Sequence, residues 1–124
     1  MVQDKSKQPD ITILMSVYNE TADAIIVAVE SILNQSYKNF EFIIVNDNPT
    51  DARIKKTLDI LSKRDQRIQI LTNNRNRGLG YSLNKAIKIS RSQLIARMDT
   101  EDSSVQGRLS KQISFLNNHP EVDL

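Results

Sequence analysis

Several residue types are absent or scarce in this sequence, and each absence excludes a class of protein. The 124 residues include no Cys and a single His, His119, to which we assign no role. Disulfides, cysteine-ligated zinc sites, a thiolate nucleophile and a multi-histidine metal site are therefore excluded. No run of about 18 apolar residues occurs, so the sequence predicts no membrane-spanning helix. Residues 1–10 are polar and carry both charge signs, which indicates a flexible lead and a cytoplasmic chain without a signal peptide.

The charged residues are numerous but almost balanced in sign. Lys and Arg number 17 against 15 Asp and Glu, and the net charge of +2 comes from both signs mixed along the chain. Such a balance does not point to a nucleic-acid partner. A hydrophobic content of 39% with 26% charged residues is typical of one globular domain with a real core.

Apolar segments of two kinds alternate along the chain. Short β-branched runs predict strands at residues 11–17, 40–45, 68–71 and 94–98. Helical spacing of apolar residues predicts helices at residues 21–35 and 53–63, after glycines 78 and 80 up to residue 87, and at 105–118. The order predicts an α/β fold with an open parallel sheet and helices on both faces. Because residues 122–124 begin another apolar segment, we expect the fold to be truncated after the fourth βα unit.

Polar segments follow three of these strands, at residues 16–20, 46–51 and 99–102. In open parallel sheets, ligands bind beyond the carboxyl ends of the strands. Asp99, Glu101 and Asp102 place three acids within four residues, where they repel one another unless a cation or a donor lies among them. Their oxygen ligands suit Mg²⁺ or Mn²⁺, and such cations suit a diphosphate. The alternative for Asp51 and Asp102 is that each caps a helix.

Five segments together resemble the inverting family 2 glycosyltransferases, in particular the amino-terminal, donor-binding part of their GT-A fold. The segments are Ser16-Val-Tyr-Asn-Glu20, Ser31-Ile-Leu-Asn-Gln-Ser36, Phe40-Glu-Phe-Ile-Ile-Val-Asn-Asp47, Asn76-Arg-Gly-Leu-Gly80 with Asn84-Lys-Ala86, and Ile95-Ala-Arg-Met-Asp-Thr-Glu-Asp102. Each segment alone is a weak signal, but five in order at family-like spacing are specific. The resemblance covers nearly everything from residue 10 to residue 124.

The resemblance implies a Rossmann-like, GT-A domain in which residues 11–124 form the nucleotide-sugar-binding half. The implied reaction transfers a hexosyl group, with inversion, from a nucleotide-diphosphate sugar such as a UDP-sugar to a saccharide or lipid-linked acceptor, as in polysaccharide biosynthesis. The catalytic base is expected beyond Leu124, so this chain alone should be inactive. We further expect self-association of the truncated chain, and attachment of the full-length protein to the inner face of the membrane.

The resemblance also implies roles for single residues. Ser16 and Tyr18 would lie beside the base, Asp47 would accept a hydrogen bond from the base or ribose, and Asp99 would lie toward the ribose. The substrate-binding residues would be Ser16, Tyr18, Asn19, Glu20, Asp47, Arg77, Gly78 and Asp99, and the ligands of Mn²⁺ or Mg²⁺ would be Glu101 and Asp102.

The residues themselves allow both functional and structural interpretations of these positions. Tyr18 offers a flat face for a base, or packs as a partly buried side chain. Asp47 accepts from a base N–H, or forms a turn. Gly78 opens a helix whose N–H groups favour phosphate, although helix entry alone explains it equally well. Arg77 and Arg97 are candidates for neutralising phosphate, or are simply solvated.

Two positions depart from the family pattern. Glu101 stands where an aspartate is usual, which shifts the carboxylate by about 1 Å and weakens a pre-set metal geometry. Residues 46–51 replace a common Asp-Asp-Gly-Ser-Thr-Asp run. There, Asn48 could take the left-handed conformation of a glycine, or Pro49 could push it toward extended geometry.

The alternative function is a non-catalytic, nucleotide-binding α/β module. Other modules of similar architecture lack support, because each needs a motif after the first strand that residues 16–20 do not contain. A dinucleotide-binding domain needs Gly-x-Gly-x-x-Gly, a receiver domain an acidic pair, and a nucleotidyltransferase a Gly-rich loop with Arg and Lys.

Overall fold

The computed structural model describes residues 8–35 and 37–99. The elements in chain order are β1 (Ile11–Val17), α1 (Ala22–Leu33), β2 (Phe40–Asn46), α2 (Ala52–Arg64), β3 (Ile68–Thr72), α3 (Leu79–Ile89) and β4 (Ile95–Arg97). The predicted alternation of strands and helices is confirmed through β4, with bounds that differ by a few residues. The predicted fourth helix at residues 105–118 and the apolar segment at 122–124 lie outside the described residues.

Each helix begins at a residue whose chemistry explains the start. Thr21 Oγ1 accepts the Ala24 N–H at 3.1 Å and caps α1. Asp51 caps α2, which confirms the capping interpretation of this residue. Gly78 precedes α3 with a φ of +90°, a left-handed conformation that favours glycine. Gly80 lies in the first turn of α3, so the expectation that both glycines precede the helix was wrong for Gly80.

The four strands form one parallel sheet in the order β3-β2-β1-β4. β1 pairs with β2 along seven residues, from Ile11 opposite Phe40 to Val17 opposite Asn46. β4 pairs with the other edge of β1 through Thr12, Ile13 and Leu14. β1 and β2 are therefore central strands, and their nearly continuous apolar sequences reflect burial on both faces.

Helices cover both faces of this sheet, as the sequence predicts. One core joins alternate residues of β1 and β2 to α1 and α2, and includes Ile13, Met15, Phe42, Ile44, Ile25, Val29, Leu58 and Leu61. The second core lies between the sheet and α3, and includes Leu14, Ile43, Val45 and Ala86, with Leu71, Leu83 and Ile95 packed against it. The period of two along each strand divides the apolar side chains between the two layers.

The strand order places a topological switch point beside β1. The chain moves from β1 through β2 to β3 in one direction, and then returns to add β4 on the opposite side of β1. The loops that follow β1 and β4 therefore separate at the carboxyl edge and leave a crevice between them. Within the described residues, no helix has the length and apolar character needed to cross a bilayer.

Candidate functional site

A cleft of about 410 Å³ opens at the carboxyl ends of β1, β2 and β4. Its walls comprise Ser16, Tyr18, Glu20, Asp47, Asn76, Gly78, Leu79, Arg97 and Asp99. Six of these nine residues are predicted substrate-binding residues, brought together from three strand ends and from the segment before α3. The prediction that the polar strand ends share one edge of the sheet is thus confirmed for residues up to Asp99.

The segment after β1 is held by hydrogen bonds at both sides of Tyr18. Its backbone N–H donates to Glu20 Oε2 at 2.7 Å, and its carbonyl accepts from Asn48 Nδ2 at 2.8 Å. Tyr18 lines the cleft and is 45% exposed, so it is partly buried, as the packing interpretation describes, while the rest of its surface is accessible. Glu20 therefore fixes the loop that presents Tyr18, and any contact of Glu20 with substrate stays a prediction.

Asn48 joins the segment after β2 to the segment after β1. Besides donating to the Tyr18 carbonyl, it donates its backbone N–H to Asn46 Oδ1 at 2.9 Å. No described residue other than glycine has a positive φ, so Asn48 does not imitate a left-handed glycine. Pro49, which follows it, explains this preference.

The Asp47 side chain is buried at the end of β2 and accepts four hydrogen bonds. The residue is 2% exposed. The donors are Asn73 Nδ2 at 2.8 Å, Asn76 Nδ2 at 2.8 Å, the Arg77 N–H at 2.7 Å and the Gly78 N–H at 2.9 Å. A carboxylate has about four acceptor positions, so these donors fill its capacity. The predicted hydrogen bond to a base or ribose stays a prediction, and would require one of the four bonds to be shared or exchanged.

The environment of Asp47 stabilises its ionised form. Burial alone would raise the pKa of Asp47, but hydrogen bonds from the Arg77 N–H, the Asn73 amide and the Gly78 N–H, with the nearby Arg77 charge, lower this pKa below its ordinary value. A negative charge next to the amino end of α3 also interacts favourably with the helix dipole. The N–H of Gly78 is directed at Asp47, so the phosphate contact predicted at the start of α3 would have to use other N–H groups.

The sequence did not reveal which residues position the Asp47 side chain. Asn73 is 1% exposed, and its Nδ2 donates to Asp47 and also to Ser82 Oγ at 2.9 Å. Lys85 Nζ donates to Asn73 Oδ1 at 3.1 Å and so orients the amide. The position of Asn73 in the chain could have identified it, because Asn73 directly follows β3, as the predicted polar segments follow β1 and β2.

Arg97 and Asp99 form the wall of the cleft that follows β4. Arg97 Nη2 lies 3.2 Å from Asp99 Oδ1, and both side chains are about half exposed, at 49% and 53%. Arg97 thus lies at the cleft, and its role as a candidate for neutralising phosphate stays a prediction. Glu101 and Asp102 lie outside the described residues, within which no group of three potential metal ligands occurs.

Two predicted substrate-binding residues do not belong to the cleft wall. Asn19 is exposed next to it. The Arg77 guanidinium lies 4.3 Å from the centre of the Tyr81 ring, while its backbone N–H binds Asp47. Arg77 therefore contributes to the site through its backbone, because its side chain is directed toward α3.

The sequence match decides the family. The model of glycosyl transferase family 2 matches residues 12–123. The chain belongs to this family. This membership confirms the resemblance of the five sequence segments to family 2 glycosyltransferases. The matched range contains every residue of the cleft wall.

Two curated relatives illustrate the similarity. An uncharacterized glycosyltransferase of Methanocaldococcus jannaschii is 38% identical over 124 residues, which is 100% of this chain and 42% of the relative. The Escherichia coli enzyme WfaP, named a UDP-Glc:α-D-GlcNAc-diphosphoundecaprenol β-1,3-glucosyltransferase, is 39% identical over 107 residues, which is 86% of this chain and 41% of WfaP. The chain thus spans about two-fifths of the length of these relatives.

Two solved structures have a similar fold. The mannosyltransferase PcManGT of Pyrobaculum calidifontis, solved with GDP-Man and Mn²⁺, superposes with a TM-score of 0.76 at 20% identity over 93% of this chain and 34% of PcManGT. TarS of S. aureus superposes with a TM-score of 0.74 at 19% identity, over 90% of this chain and 33% of TarS. These likenesses establish the GT-A fold of the present chain.

Proposed function

We propose that the cleft binds the nucleotide-diphosphate part of a sugar donor, and that the whole protein transfers a hexosyl group from it with inversion. The observation that carries the proposal is the convergence of Tyr18, Asp47, Arg97 and Asp99 on one cleft at the switch point of the sheet. We propose a UDP-sugar as donor and a saccharide or lipid-linked acceptor. WfaP, whose printed name includes a UDP-sugar and a lipid-linked acceptor, supports this choice.

Each part of the donor would contact a residue of suitable chemistry in the cleft wall. The half-exposed Tyr18 ring offers a stacking surface for a base, next to Ser16 with its hydroxyl group. Arg97 supplies a positive charge for the diphosphate, and the exchange of its Asp99 partner for phosphate would retain its pairing. The fixed loops on either side of Tyr18 reduce the ordering cost of binding.

A divalent cation fits the donor chemistry of this edge. Asp99 places a carboxylate at the cleft, and Glu101 and Asp102 follow it in the sequence, outside the described residues. We propose that Glu101 and Asp102 hold Mn²⁺ or Mg²⁺, since hard cations prefer oxygen ligands. When bound, the cation supplies charge neutralisation to the diphosphate leaving group. PcManGT was solved with Mn²⁺, which supports the choice of metal.

We also propose that the 124-residue chain binds the donor without transferring the sugar. An inverting transfer needs a general base for the acceptor hydroxyl. The three described carboxylates of the cleft already have other partners. Glu20 accepts from Tyr18, Asp47 accepts four hydrogen bonds, and Asp99 pairs with Arg97. These bonds do not favour Glu20 or Asp47 as the base, and Asp99, once phosphate replaces it on Arg97, is proposed to face the ribose.

Isothermal titration with UDP and with GDP, each with and without Mn²⁺, tests the donor proposal. We expect UDP to bind more tightly with Mn²⁺, and Asp102→Asn to remove the effect of the metal. Tyr18→Ala should weaken UDP binding by about tenfold, as expected for the loss of one base-stacking contact. Tyr81→Ala is the matched control, because Tyr81 is 44% exposed, as Tyr18 is at 45%, but lies outside the cleft wall.

Four outcomes would each contradict one part of the proposal. Equal UDP binding with and without Mn²⁺, unchanged in Asp102→Asn, would overturn the metal assignment. An equal effect of the two tyrosine variants would overturn the cleft as the base-binding site. Turnover of a UDP-sugar by the isolated chain would show that the chain contains its own base. Donor binding without transfer by the whole protein would instead support the non-catalytic module.

A further inference from the structure

The two acidic residues that are buried in the described part of the chain lie at opposite ends of β2. Asp47 follows the carboxyl end of the strand and belongs to the cleft wall, whereas Glu41 is the second residue of β2 and 5% exposed. Six steps along an extended strand separate them, which corresponds to about 20 Å. Glu41 is therefore too far from the cleft to contact a substrate, and the proposed function does not use it.

Glu41 joins three segments at the amino end of the sheet. Its Oε2 accepts the Thr12 hydroxyl of β1 and the backbone N–H of Arg91, both at 2.6 Å. The Arg91 guanidinium adds an ion pair, with Nε 3.4 Å from Glu41 Oε1. Thr12 is buried, and Arg91 lies in the connection between α3 and β4. These three residues form the Glu41 cluster, which holds the segment leading into β4 against both central strands.

The apolar side chains of β4 determine its register on β1 weakly. Leu94 and Ala96 pack against one core and Ile95 against the other. Because these adjacent residues are all apolar, a shift by one residue would still place apolar groups on both faces of the sheet. Of residues 94–98, Arg97 alone is polar, and a long side chain at the end of a strand can reach water from either face. The same shift would nevertheless turn Arg97 away from the cleft, since side chains alternate along a strand.

We propose that Glu41 is a positioning residue, which sets the register of β4 and thereby brings Arg97 to the cleft. Fixing a register is the best-attested role of an ion pair with a buried member, because such a pair adds little net stability. Arg91 lies six residues before Arg97, so a contact at Arg91 determines how far the following strand extends toward the carboxyl edge. The bond from the Arg91 backbone N–H matters most, since it does not depend on a flexible side chain.

The consequence for the site rests on the proposed function, in which Arg97 neutralises the diphosphate. The register itself does not depend on that function. It can be read from the backbone, because the N–H groups of alternate residues point toward the neighbouring strand. The Met98 N–H donates to the Leu14 carbonyl at 2.8 Å, so the Arg97 N–H is directed away from β1. A shift by one residue would transfer protection from the Met98 amide to the Arg97 amide.

Hydrogen exchange followed by NMR tests the register in a variant without the Glu41 cluster. Thr12→Val, Glu41→Met and Arg91→Met together replace the cluster by apolar groups, an exchange that usually preserves stability. We expect the Met98 amide to lose protection relative to the Arg97 amide. Glu41→Gln should keep the parent pattern, because Gln retains an acceptor for the Arg91 N–H.

A milder variant and a matched control accompany this triple variant. Arg91→Pro removes the N–H donor and the guanidinium but keeps the buried bond between Thr12 and Glu41. Residue 91 is exposed, and Ser90 already has the extended backbone, with a ψ of 144°, that precedes proline. Arg91→Pro should therefore shift the protection in the same direction. The control is Glu30→Met with Arg64→Met, which removes the exposed ion pair between α1 and α2 and should leave the pattern unchanged.

Donor titration separates positioning from a purely structural role. The triple variant should bind UDP about tenfold more weakly, because Arg97 would no longer supply a charge-assisted hydrogen bond to the diphosphate. In an Arg97→Ala background, the same three changes should have little further effect, since they act through Arg97. Glu41→Gln should bind UDP as the parent does.

The amide and UDP measurements overturn different parts of the inference. Parent-like protection of Arg97 and Met98 in the triple variant and in Arg91→Pro would overturn the register role. A shifted register with parent-like UDP affinity, or an equal loss of affinity with and without Arg97, would overturn the positioning role of Glu41. Absence of UDP binding by the parent chain would overturn the proposed function instead, and the amide exchange would still decide the register.

Discussion

At the scale of single residues, Asp47 is a buried charged side chain that also determines the structure of a loop. A buried carboxylate is unfavourable unless donors replace its hydration, and here two amides and two backbone N–H groups do so. The same hydrogen bonds fix the segment from Asn73 to Gly78 against the end of β2. The geometry of one cleft wall therefore depends on a single negative charge.

Replacing Asp47 by Asn should destabilise the chain strongly. Asn retains one acceptor oxygen, but its amide group would face donors that now bind the second carboxylate oxygen, namely Asn76 Nδ2 and the Gly78 N–H. We expect a loss of about 3 kcal/mol in the free energy of unfolding at pH 7, measured by urea denaturation. Asp59→Asn on the exposed surface of α2 is the control, and should stay within about 0.5 kcal/mol of the parent.

The pH dependence of stability provides an independent check on the same residue. The pKa of Asp47 is lowered in the folded state, so its stabilisation is complete above the unfolded pKa of about 3.9. The contribution is lost as pH falls from that value through the lowered folded pKa. Asp65 adds a loss of the same sign, because the Arg67 guanidinium lowers its pKa. The Asp47→Asn variant should therefore lose stability less steeply in acid, and an identical slope would contradict the ionised state of Asp47.

The residues of the cleft were partly predictable because polar groups at parallel strand ends must meet at one edge. That rule, together with the family resemblance, identified Ser16, Tyr18, Asp47 and Asp99. It could not indicate that the Arg77 side chain stacks on Tyr81, since the rotamer of an exposed Arg depends on neighbours rather than on sequence spacing. Nor could it indicate which donors surround Asp47, because these come from a loop whose path is set by tertiary contacts.

At the scale of elements, the start of α2 depends on one side chain. Asp51 Oδ1 accepts the N–H groups of Arg53 at 2.9 Å and Ile54 at 3.2 Å. Asp51→Ala should lower the free energy of unfolding by about 1 kcal/mol, because these two donors lose their partner. Asp51→Asn should cost less, since Asn also caps helices, and urea denaturation of both variants measures the difference. Equal losses in the two variants would contradict the capping role, and UDP affinity should be unchanged in both.

The helices and strands themselves followed closely from the sequence. Apolar spacing fixes which residues face the core, and a capping Asp or Thr fixes the first turn, so α1 and α2 begin and end within two residues of expectation. The expectation for α3 was less accurate, because a glycine is compatible both with a helix start and with the first turn. Gly80 lies in the turn, whereas Gly78 has the positive φ.

At the scale of the whole molecule, the sequence predicted a parallel sheet but did not indicate the position of β4. Alternating strands and helices are compatible with several strand orders, and the pairing of β4 with β1 joins distant parts of the chain. A strand of only three residues, Ile95–Arg97, carries little information about which strand it pairs with. The two-layer arrangement was predictable because central strands that are apolar on both faces need helices on each side.

Unequal pairing within the sheet predicts unequal protection of its amides. β4 contacts β1 through three residue pairs and is half-buried, whereas β2 lies between two strands and is fully buried. We expect the amides of residues 95–98 to exchange with solvent at least about tenfold faster than those of residues 42–45. Hydrogen exchange followed by NMR measures both sets, and equal protection would show that β4 opens only with the whole sheet.

The late position of β4 in the chain also matters while the protein is being synthesised. By the time α3 has left the ribosome, β1, β2 and β3 can already have paired, because all their residues precede Leu79. Until β4 is made, one edge of β1 is unpaired. The backbone donors and acceptors of that edge can then bind another nascent chain. Slow translation between residues 73 and 97 would prolong that interval. A delay in making β4 is therefore a condition that exposes this chain to aggregation.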